Sequence, residues 1–595
     1  MAVFLVGMAN ATSNPQEGQL DAFDFAAFPK INKLNLSTNS LVGAIPKKLW
    51  SSRSLQEIDL QDNHLNGTIS PEIGNMTALK QLDLSFNQLE GELPATISSL
   101  QYLTYLDLDS NKFNRCKQKV DYDRYGCLTK YNALSRYHNN LLRSQVKTLR
   151  KEYPYAKITF ADYYTPRPHL PAQAGHFRGL IPTGIGNLTN LQILDFSYNH
   201  FTGPIPQSIE NLRLLIELRL FNNLNCTIPL DIGNMTSLQQ LDFRNNQLEG
   251  GIPVTISLLR NLLYLALGTN KFSGTIPIDL GNRQTLLLIG LANNSLHGEI
   301  PQSLCKSFQL QELILNNNNL SGTLPSCIQN CSKLQLLRLG QNHFSGNISP
   351  VLAVHSNLTV LDVSENQFSG TLPPTFCSFT SLLILDLSNN NLSGELPSCW
   401  WNLQNLQFLD LSTNAFIGKL PTARNHLSSL KSLNLAYNYF HGDFPFVIQK
   451  CKNLIILNLG GNGYCSIIPS WLGVTNPRLK ILQLRSNMFY GNMPRELSQL
   501  AYLQPLDLAN NNLTGSIPTE FANLTSMRQQ KTEPFVILVE NISGYPYFGR
   551  VDINWKGHDE IFQRTVSLVT GMDLSSNFLT GEIPTGLSNL QGLSS

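Results

Sequence analysis

The sequence predicts an α/β solenoid: a short parallel concave β-sheet built from 24-residue repeats, interrupted by one helix–strand insertion and one non-repeat island. Three observations predict it. An Asn-centred pattern recurs at fixed spacing, its phase fails at two places, and the composition argues against the rival classes.

The pattern is Leu-x-Leu-x-x-Asn-x-(Leu/Phe)-x-Gly-x-(Ile/Leu)-Pro. Its Asn falls every 24 residues from Asn246 to Asn462, and Asn199, Asn223, Asn487 and Asn511 extend the series with slips of one residue at 223 and 487. Asn39, Asn63, Asn87, a half unit at Asn111 and a late unit at Asn577 complete it. One unit reads Leu313, Leu315, Asn318, Leu320, Gly322, Leu324, Pro325. Leucines two apart share one face of a short strand. The Asn amide can both donate to and accept from buried backbone as the chain turns. Gly relieves the next turn, and Pro fixes φ where no ladder donor is needed. Each unit buries roughly five or six aliphatic side chains, each worth ~1.5–3 kcal/mol, but only against its neighbours. Stability therefore belongs to the stack.

This spacing resembles that of leucine-rich repeat proteins, and the Leu-x-Gly-x-Ile-Pro continuation is similar to the plant extracellular subclass. The resemblance implies a truncated ectodomain of a plant receptor-like protein or receptor-like kinase.

Asn111 and Asn199 are 88 apart, one 24-residue unit plus 64, and the broken unit resumes at Phe177, Gly179, Ile181, Pro182. Within the excess, Leu134, Tyr137, Leu141, Val146 and Leu149 fall at near-helical spacing, Pro154 ends the run, and Ile158 and Phe160 alternate as in a strand. The words Asp121 to Leu128, Tyr137-His138-Asn139, Tyr153-Pro154 and Phe160 to Tyr164 resemble the C-terminal third of plant GDSL esterases/lipases. That family needs a nucleophilic Ser in Gly-Asp-Ser, oxyanion donors and a late Asp-x-x-His. None of these words occurs here, so no catalytic residue is assigned. The fragment is expected to be loosely docked on the solenoid.

Asn511 and Asn577 are 66 apart, one unit plus 42, with Asn554-Trp555-Lys556-Gly557 between them. This resembles the island near the last repeats of plant receptor-like proteins. The expected division is 1–30 non-repeat, 31–114 repeats, 115–175 insertion, 176–526 repeats, 527–568 island and 569–595 a truncated repeat. By resemblance, further repeats and a membrane anchor would follow, and both ends would be uncapped.

Composition narrows function. Net charge is +2 and 14% of residues are charged, so no basic field for nucleic acid is present. No apolar run reaches the roughly 18 residues of a membrane helix, and Met1 to Ala9 lacks the basic lead-in of a secretion signal. Asn-x-Ser/Thr sequons such as Asn66, Asn187, Asn319 and Asn391 favour secretion moderately, because an Asn- and Ser-rich repeat makes them by accident. The eleven histidines show no ligand spacing and the cysteines no Cys-x-x-Cys pair, so neither metal nor cofactor is expected. Cys305 and Cys327 are 22 apart on adjacent units, as are Cys377 and Cys399. Inter-coil disulfides and buried apolar thiols both fit that spacing.

Ligand contacts are expected where the residues flanking Leu-x-Leu depart from the bland Asp and Ser of Asp362/Ser364, Asp386/Ser388 and Asp410/Ser412. Departures are Glu217, Arg219, Phe221, Gln240, Asp242, Arg244 and Tyr264, then Glu312, Ile314, Asn316 and Arg338. Arg and aromatic side chains in a shallow groove suit capture of a peptide carboxylate or a glycan. Trp400-Trp401 follows the Pro of its unit, where core filling outweighs sugar stacking. No kinase words occur. The expected function is non-catalytic recognition of an extracellular peptide, glycan or protein, with a possible co-receptor kinase. By resemblance, the location is the plasma membrane or the cell exterior. Alternatives are a secreted protein resembling polygalacturonase inhibitors, an inactive chimeric product, or an ester hydrolase.

Overall fold

The structure is a computed structural model. It describes residues 2–4, 18–20, 31–111, 177–221, 224, 226–349, 357–423, 427–528, 538–539, 547–548, 551–555, 558–562 and 570–593. Residues 115–175, with the expected helix–strand insertion, lie outside them, as does Asn223. Contacts divide the described chain into two compact units, the first over 2–111, 177–334 and 341–343, the second over 335–340 and 344–593.

Most of the described coils repeat one course. In the first unit, Glu312–Ile314 forms the main strand, with the middle residue Leu313 fully buried. Asn317 then turns the chain at a positive φ of 57°, a left-handed conformation Asn tolerates. Asn318 follows; its Nδ2 donates to the Leu291 and Leu315 carbonyls, both at 3.0 Å, and its Oδ1 accepts from the Leu296 N–H at 3.0 Å. One amide thus satisfies backbone groups of its own coil and the one before, which would otherwise be stranded in the core. A second strand, Asn319–Gly322, a Pro325 at φ −64° and a 3-10 turn at Ser326–Asn330 complete the coil.

The helical part is a single 3-10 turn rather than an α-helix because about five residues between Pro and the next Leu are too few to nucleate one. Among the described residues the α-helix is Trp471–Thr475, in the coil where the period lengthens by one. Gly322 shows why the second strand needs Gly: its φ is +81°, and a Cβ there would lie 2.7 Å from Glu299 Cγ.

In each unit the main strands pair in parallel and in register. The first runs from Lys33–Asn35 through Glu57–Asp59 and Gln81–Asp83 to Tyr105–Asp107. The next partner is Ile193–Asp195, so the ladder passes over the long excursion without a gap. Asn199 Nδ2 donates to the Leu108 carbonyl at 2.9 Å, while Asn111 Oδ1 accepts from Leu89 N–H at 3.1 Å. Phe177–Leu180 then resumes beside Gly91–Glu92. The excursion leaves between the two strands of one coil, and both halves of that coil keep their neighbours.

The second unit repeats this solution. Pro505–Asp507 pairs with Gly571–Asp573 across the island, and Asn577 Nδ2 donates to the Leu508 carbonyl at 3.0 Å. The island's described strands are antiparallel: Leu538–Val539 with Tyr547–Phe548, and Val551–Trp555 with His558–Phe562. Ring stacks such as Phe344 on Phe368 and Phe416 on Phe440, both at 6.2 Å between centroids, run from coil to coil inside this unit. Trp400 and Trp401 are buried there, with Trp400 stacked on Phe376 at 5.5 Å.

Candidate ligand-binding face

Because the middle residue of each main strand points to the core, its two neighbours project from the opposite face. In the first unit one row of that face reads Lys33, Glu57, Gln81, Tyr105, Ile193, Glu217, Gln240, Tyr264, Leu288 and Glu312, all half-buried. The parallel row is acidic over Asp59, Asp83, Asp107 and Asp195, changes sign at Arg219, and returns to Asp242.

Arg219 is the centre of one network. Its guanidinium reaches Asp195 Oδ2 at 3.3 Å, Glu217 Oε2 at 2.5 Å and Gln240 Oε1 at 3.3 Å, joining three successive coils. Arg244 makes a second. It grips Asp242 with Nε at 2.9 Å and Nη2 at 2.6 Å, and its guanidinium carbon stands 5.5 Å from the Phe221 ring centroid. Phe221 meets Tyr198 edge-on at 4.5 Å. The fork suits a carboxylate, and the cation lies over the ring face. Tyr264 continues the row beside Gln240. Seven of the expected contacts, Glu217 to Tyr264, therefore fall on one patch. Glu312 lies two coils further along and Asn316 follows its strand; Ile314 is buried. Arg338 belongs to the second unit and faces Asp362 Oδ2 at 3.6 Å.

The acidic row carries its own electrostatics. Burial pushes Asp83 up to about 7, aided by repulsion from Asp59 and opposed by bonds from Ser85 and Tyr105. Burial also holds Asp107 and Asp109 well above the usual carboxylate range, with repulsion from Asp195 acting on both. Four carboxylates from neighbouring coils crowd one strip with few cations to offset them.

The sequence reading did not single out Arg485, in the second unit. Its Nε donates to Asp507 Oδ2 at 2.7 Å and its Nη2 to Asp573 Oδ2. One guanidinium thus ties the coils on either side of the island. Arg485 stands where other units carry Ser364, Ser388 or Ser412, so the same departure rule would have found it.

Cys377 and Cys399 are joined, with Cα atoms 5.8 Å apart. The other possible bridge is not realised in this structure: Cys305 and Cys327 are thiols. Beside them lies a third thiol, Cys331, whose sulfur donates to the Cys327 carbonyl at 3.7 Å. Among the described residues no group of three His, Cys, Asp or Glu side chains is placed to hold a metal ion.

The leucine-rich repeat signature matches residues 356–416, and single repeats match at 54–76, 78–100, 190–212, 237–259, 309–331, 506–524 and 569–590. The chain is similar to receptor-like protein EIX2 of Solanum lycopersicum, at 31% identity over 141 residues. That match takes in 23% of this chain and 14% of the tomato protein's length. In structure it is similar to the Arabidopsis receptor kinase HAESA, solved with the peptide hormone IDA and the co-receptor SERK1. There the TM-score is 0.69 and identity 27%, over 95% of this chain and 81% of the other. A second likeness is the plant peptide hormone receptor RGFR1 in complex with RGF2, with TM-score 0.57, identity 30%, and coverage of 95% and 91%. The chain carries leucine-rich repeats, and its parallel-sheet solenoid is similar to those of plant receptor ectodomains.

Proposed function

We propose that the chain is a non-catalytic recognition module of the plant cell surface or exterior that binds an extracellular peptide on the strand face of its first unit. The observation that carries this reading is the patch of Glu217, Arg219, Phe221, Gln240, Asp242, Arg244 and Tyr264. On it, two guanidiniums and three aromatic rings, counting Tyr198, adjoin on successive coils. Arginine already paired with carboxylate stays compensated when the site is empty, and its planar donors suit a peptide carbonyl or C-terminal carboxylate. Aromatic anchors add contact area at little entropic cost.

Two structural likenesses bind peptide hormones, one together with a co-receptor, which supports a peptide over a glycan and leaves a co-receptor kinase as a second partner. The described residues include no helix long and apolar enough to cross a membrane.

The test is selection of a random peptide display library on the purified chain, followed by titration of the recovered peptides against wild type and the Arg219→Ala/Arg244→Ala double variant. Recovered peptides that lose at least tenfold in affinity for the double variant support the reading. Peptides that bind both proteins equally, or an unenriched library, would overturn it.

A further inference from the structure

We propose that Asn75, Asn187, Asn234, Asn330 and Asn523 carry N-linked oligosaccharides along one edge of the coils, while the strand face stays bare although the sequon of Asn35 stands on it. This rests on the extracellular location proposed above, because N-linked chains belong to secreted material. Each of the five asparagines is the last residue of a 3-10 turn: Pro71–Asn75, Thr183–Asn187, Leu230–Asn234, Ser326–Asn330 and Thr519–Asn523. The next residue, Met76, Leu188, Met235, Cys331 or Leu524, is fully buried. In the first four it has φ between −83° and −78° and ψ between 54° and 66°, the inverse γ-turn. That turn folds the hydroxyl residue back on the Asn: Thr236 N–H donates to the Asn234 carbonyl and Ser332 N–H to the Asn330 carbonyl, both at 2.9 Å.

One buried residue between two outward ones leaves the Asn and its hydroxyl partner on the same side. Thr77, Thr189, Thr236, Ser332 and Thr525 are exposed together with the five asparagines. Amide and hydroxyl, the two groups of the acceptor sequence, thus meet solvent side by side, and a bulky substituent displaces nothing from the core. Asn also ends this turn at Asn211, where the residue two along is Arg213. The amide therefore has a use in the turn by itself, and the hydroxyl is what the five sequons add. Asn35 is placed differently. It closes the main strand Lys33–Asn35, half-buried, with Nδ2 donating to Asp59 Oδ2 at 2.9 Å and Oδ1 accepting from Ser37 N–H and Oγ at 3.1 and 2.8 Å. A sugar on that nitrogen would stand against Asp59 of the next coil.

The donor is an oligosaccharide carried on a polyisoprenyl diphosphate, and the transferase is that of the secretory route. The Asn Nδ2 attacks C1 of the first sugar, the C1–O bond to the diphosphate breaks and a C1–N bond forms. Nδ2 gives up one proton, and the polyisoprenyl diphosphate leaves. A substituted amide keeps one N–H and its carbonyl oxygen. Asn234 can therefore still donate to Glu210 Oε2, 3.2 Å away, and Asn523 can still accept from Arg528 Nη2, 3.3 Å away. Four chains on the first unit and one on the second then occupy the turn edge and leave the strand face open to a ligand.

The experiment expresses the full chain in insect cells behind an added secretion leader and recovers it from medium and microsomes. Tryptic peptides are treated with peptide-N-glycosidase A in heavy-oxygen water, which turns each modified Asn into labelled Asp, and are read by tandem mass spectrometry. The leader routes the chain whatever its ligand, so the outcome bears on these sites and not on peptide binding. Wild type is expected to be labelled in most molecules at all five turn-end asparagines and to be unlabelled at Asn35. Arg213→Thr completes a sequon at Asn211, and it is expected to gain one oligosaccharide there with the others unchanged. Turn-end asparagines left unlabelled, Asn35 labelled as fully as they are, or an Arg213→Thr chain bare at Asn211 would each overturn the proposal.

Discussion

The strand faces of the two units are made from the same coil and are physically opposite. In the first unit the outward row from Lys33 to Glu312 is mostly polar and half-buried throughout. In the second, the equivalent row reads Leu336, Val360, Ile384, Phe408, Ser432, Ile456, Ile481 and Pro505, all buried, and only Gly571, beyond the island, is half-buried among its described residues. A strand with one wet face alternates apolar and polar residues, and one covered on both faces reads as an apolar run. Val360-Leu361 and Ile384-Leu385 follow the second rule, Gln240-Leu241 and Glu217-Leu218 the first. The difference teaches that the repeat fixes the coil, and the residues either side of its central Leu decide whether the face is interior or available to a ligand.

Removing the apolar row should have the largest effect. Phe408 is fully buried on its outward face, so Phe408→Ala is expected to cost about 3–5 kcal/mol. Tyr264→Ala, in the matching row of the first unit, is expected to cost about 1 kcal/mol or less, as for a half-exposed site. Thermal unfolding of the two variants side by side checks this. Equal losses would mean that the two faces do not differ in the way described.

The Asn ladder should be indifferent to the face. Asn318 in the first unit and Asn414 in the second make the same bonds: Asn414 donates to Leu387 and Leu411 carbonyls at 2.9 and 3.2 Å and accepts from Leu392 N–H at 3.0 Å. Replacing either by Ala strands buried backbone groups, at about 1–3 kcal/mol. The two variants are expected to lose stability within experimental error of each other by urea denaturation.

A good deal of this was readable from the sequence, for reasons the coil supplies. The positions of Leu, Asn, Gly and Pro are fixed by one turn of backbone, so phase alone located the strands and both excursions. The resumption at Phe177 could be read because the broken coil must still present its second strand. What spacing could not supply was the choice of a 3-10 turn, which depends on how few residues remain after Pro. Nor could it give the pairing of Arg219 with Asp195, which requires side chains 24 or more residues apart in phase to be compared for reach. The apolar row of the second unit lay in plain view. The uniform row of Asp362, Asp386 and Asp410 on the other side of the central Leu masks that contrast.

The acidic row provides a pH test confined to the first unit. Asp83 is raised from 3.8 to about 7 in the folded chain by burial and by repulsion from Asp59. A raised carboxyl keeps its proton in the folded state after the unfolded state has lost it. Its contribution is therefore fully present below about 4 and disappears as pH rises through about 7. Thermal midpoints are expected to fall between pH 5 and pH 8, and Asp83→Asn, which keeps acceptors for Ser85, is expected to flatten that slope. An unchanged slope in the variant would remove Asp83 as its source.

The smallest change in stability is expected at the patch assigned to ligand binding. Arg244 grips Asp242 from a side chain 27% exposed, against a carboxylate 8% exposed, and rests against Phe221, so Arg244→Ala is expected to cost about 1 kcal/mol, the upper end for a partly exposed ion pair. A patch that contributes little to folding yet gathers charge and rings is under no structural obligation to do so. Arg244→Lys sharpens the point, since it keeps the charge and discards the planar fork. If the patch binds peptide, the Lys variant should unfold with wild type and bind as weakly as Ala; if Arg244 serves only to keep Asp242 company, the Lys variant should match wild type in both.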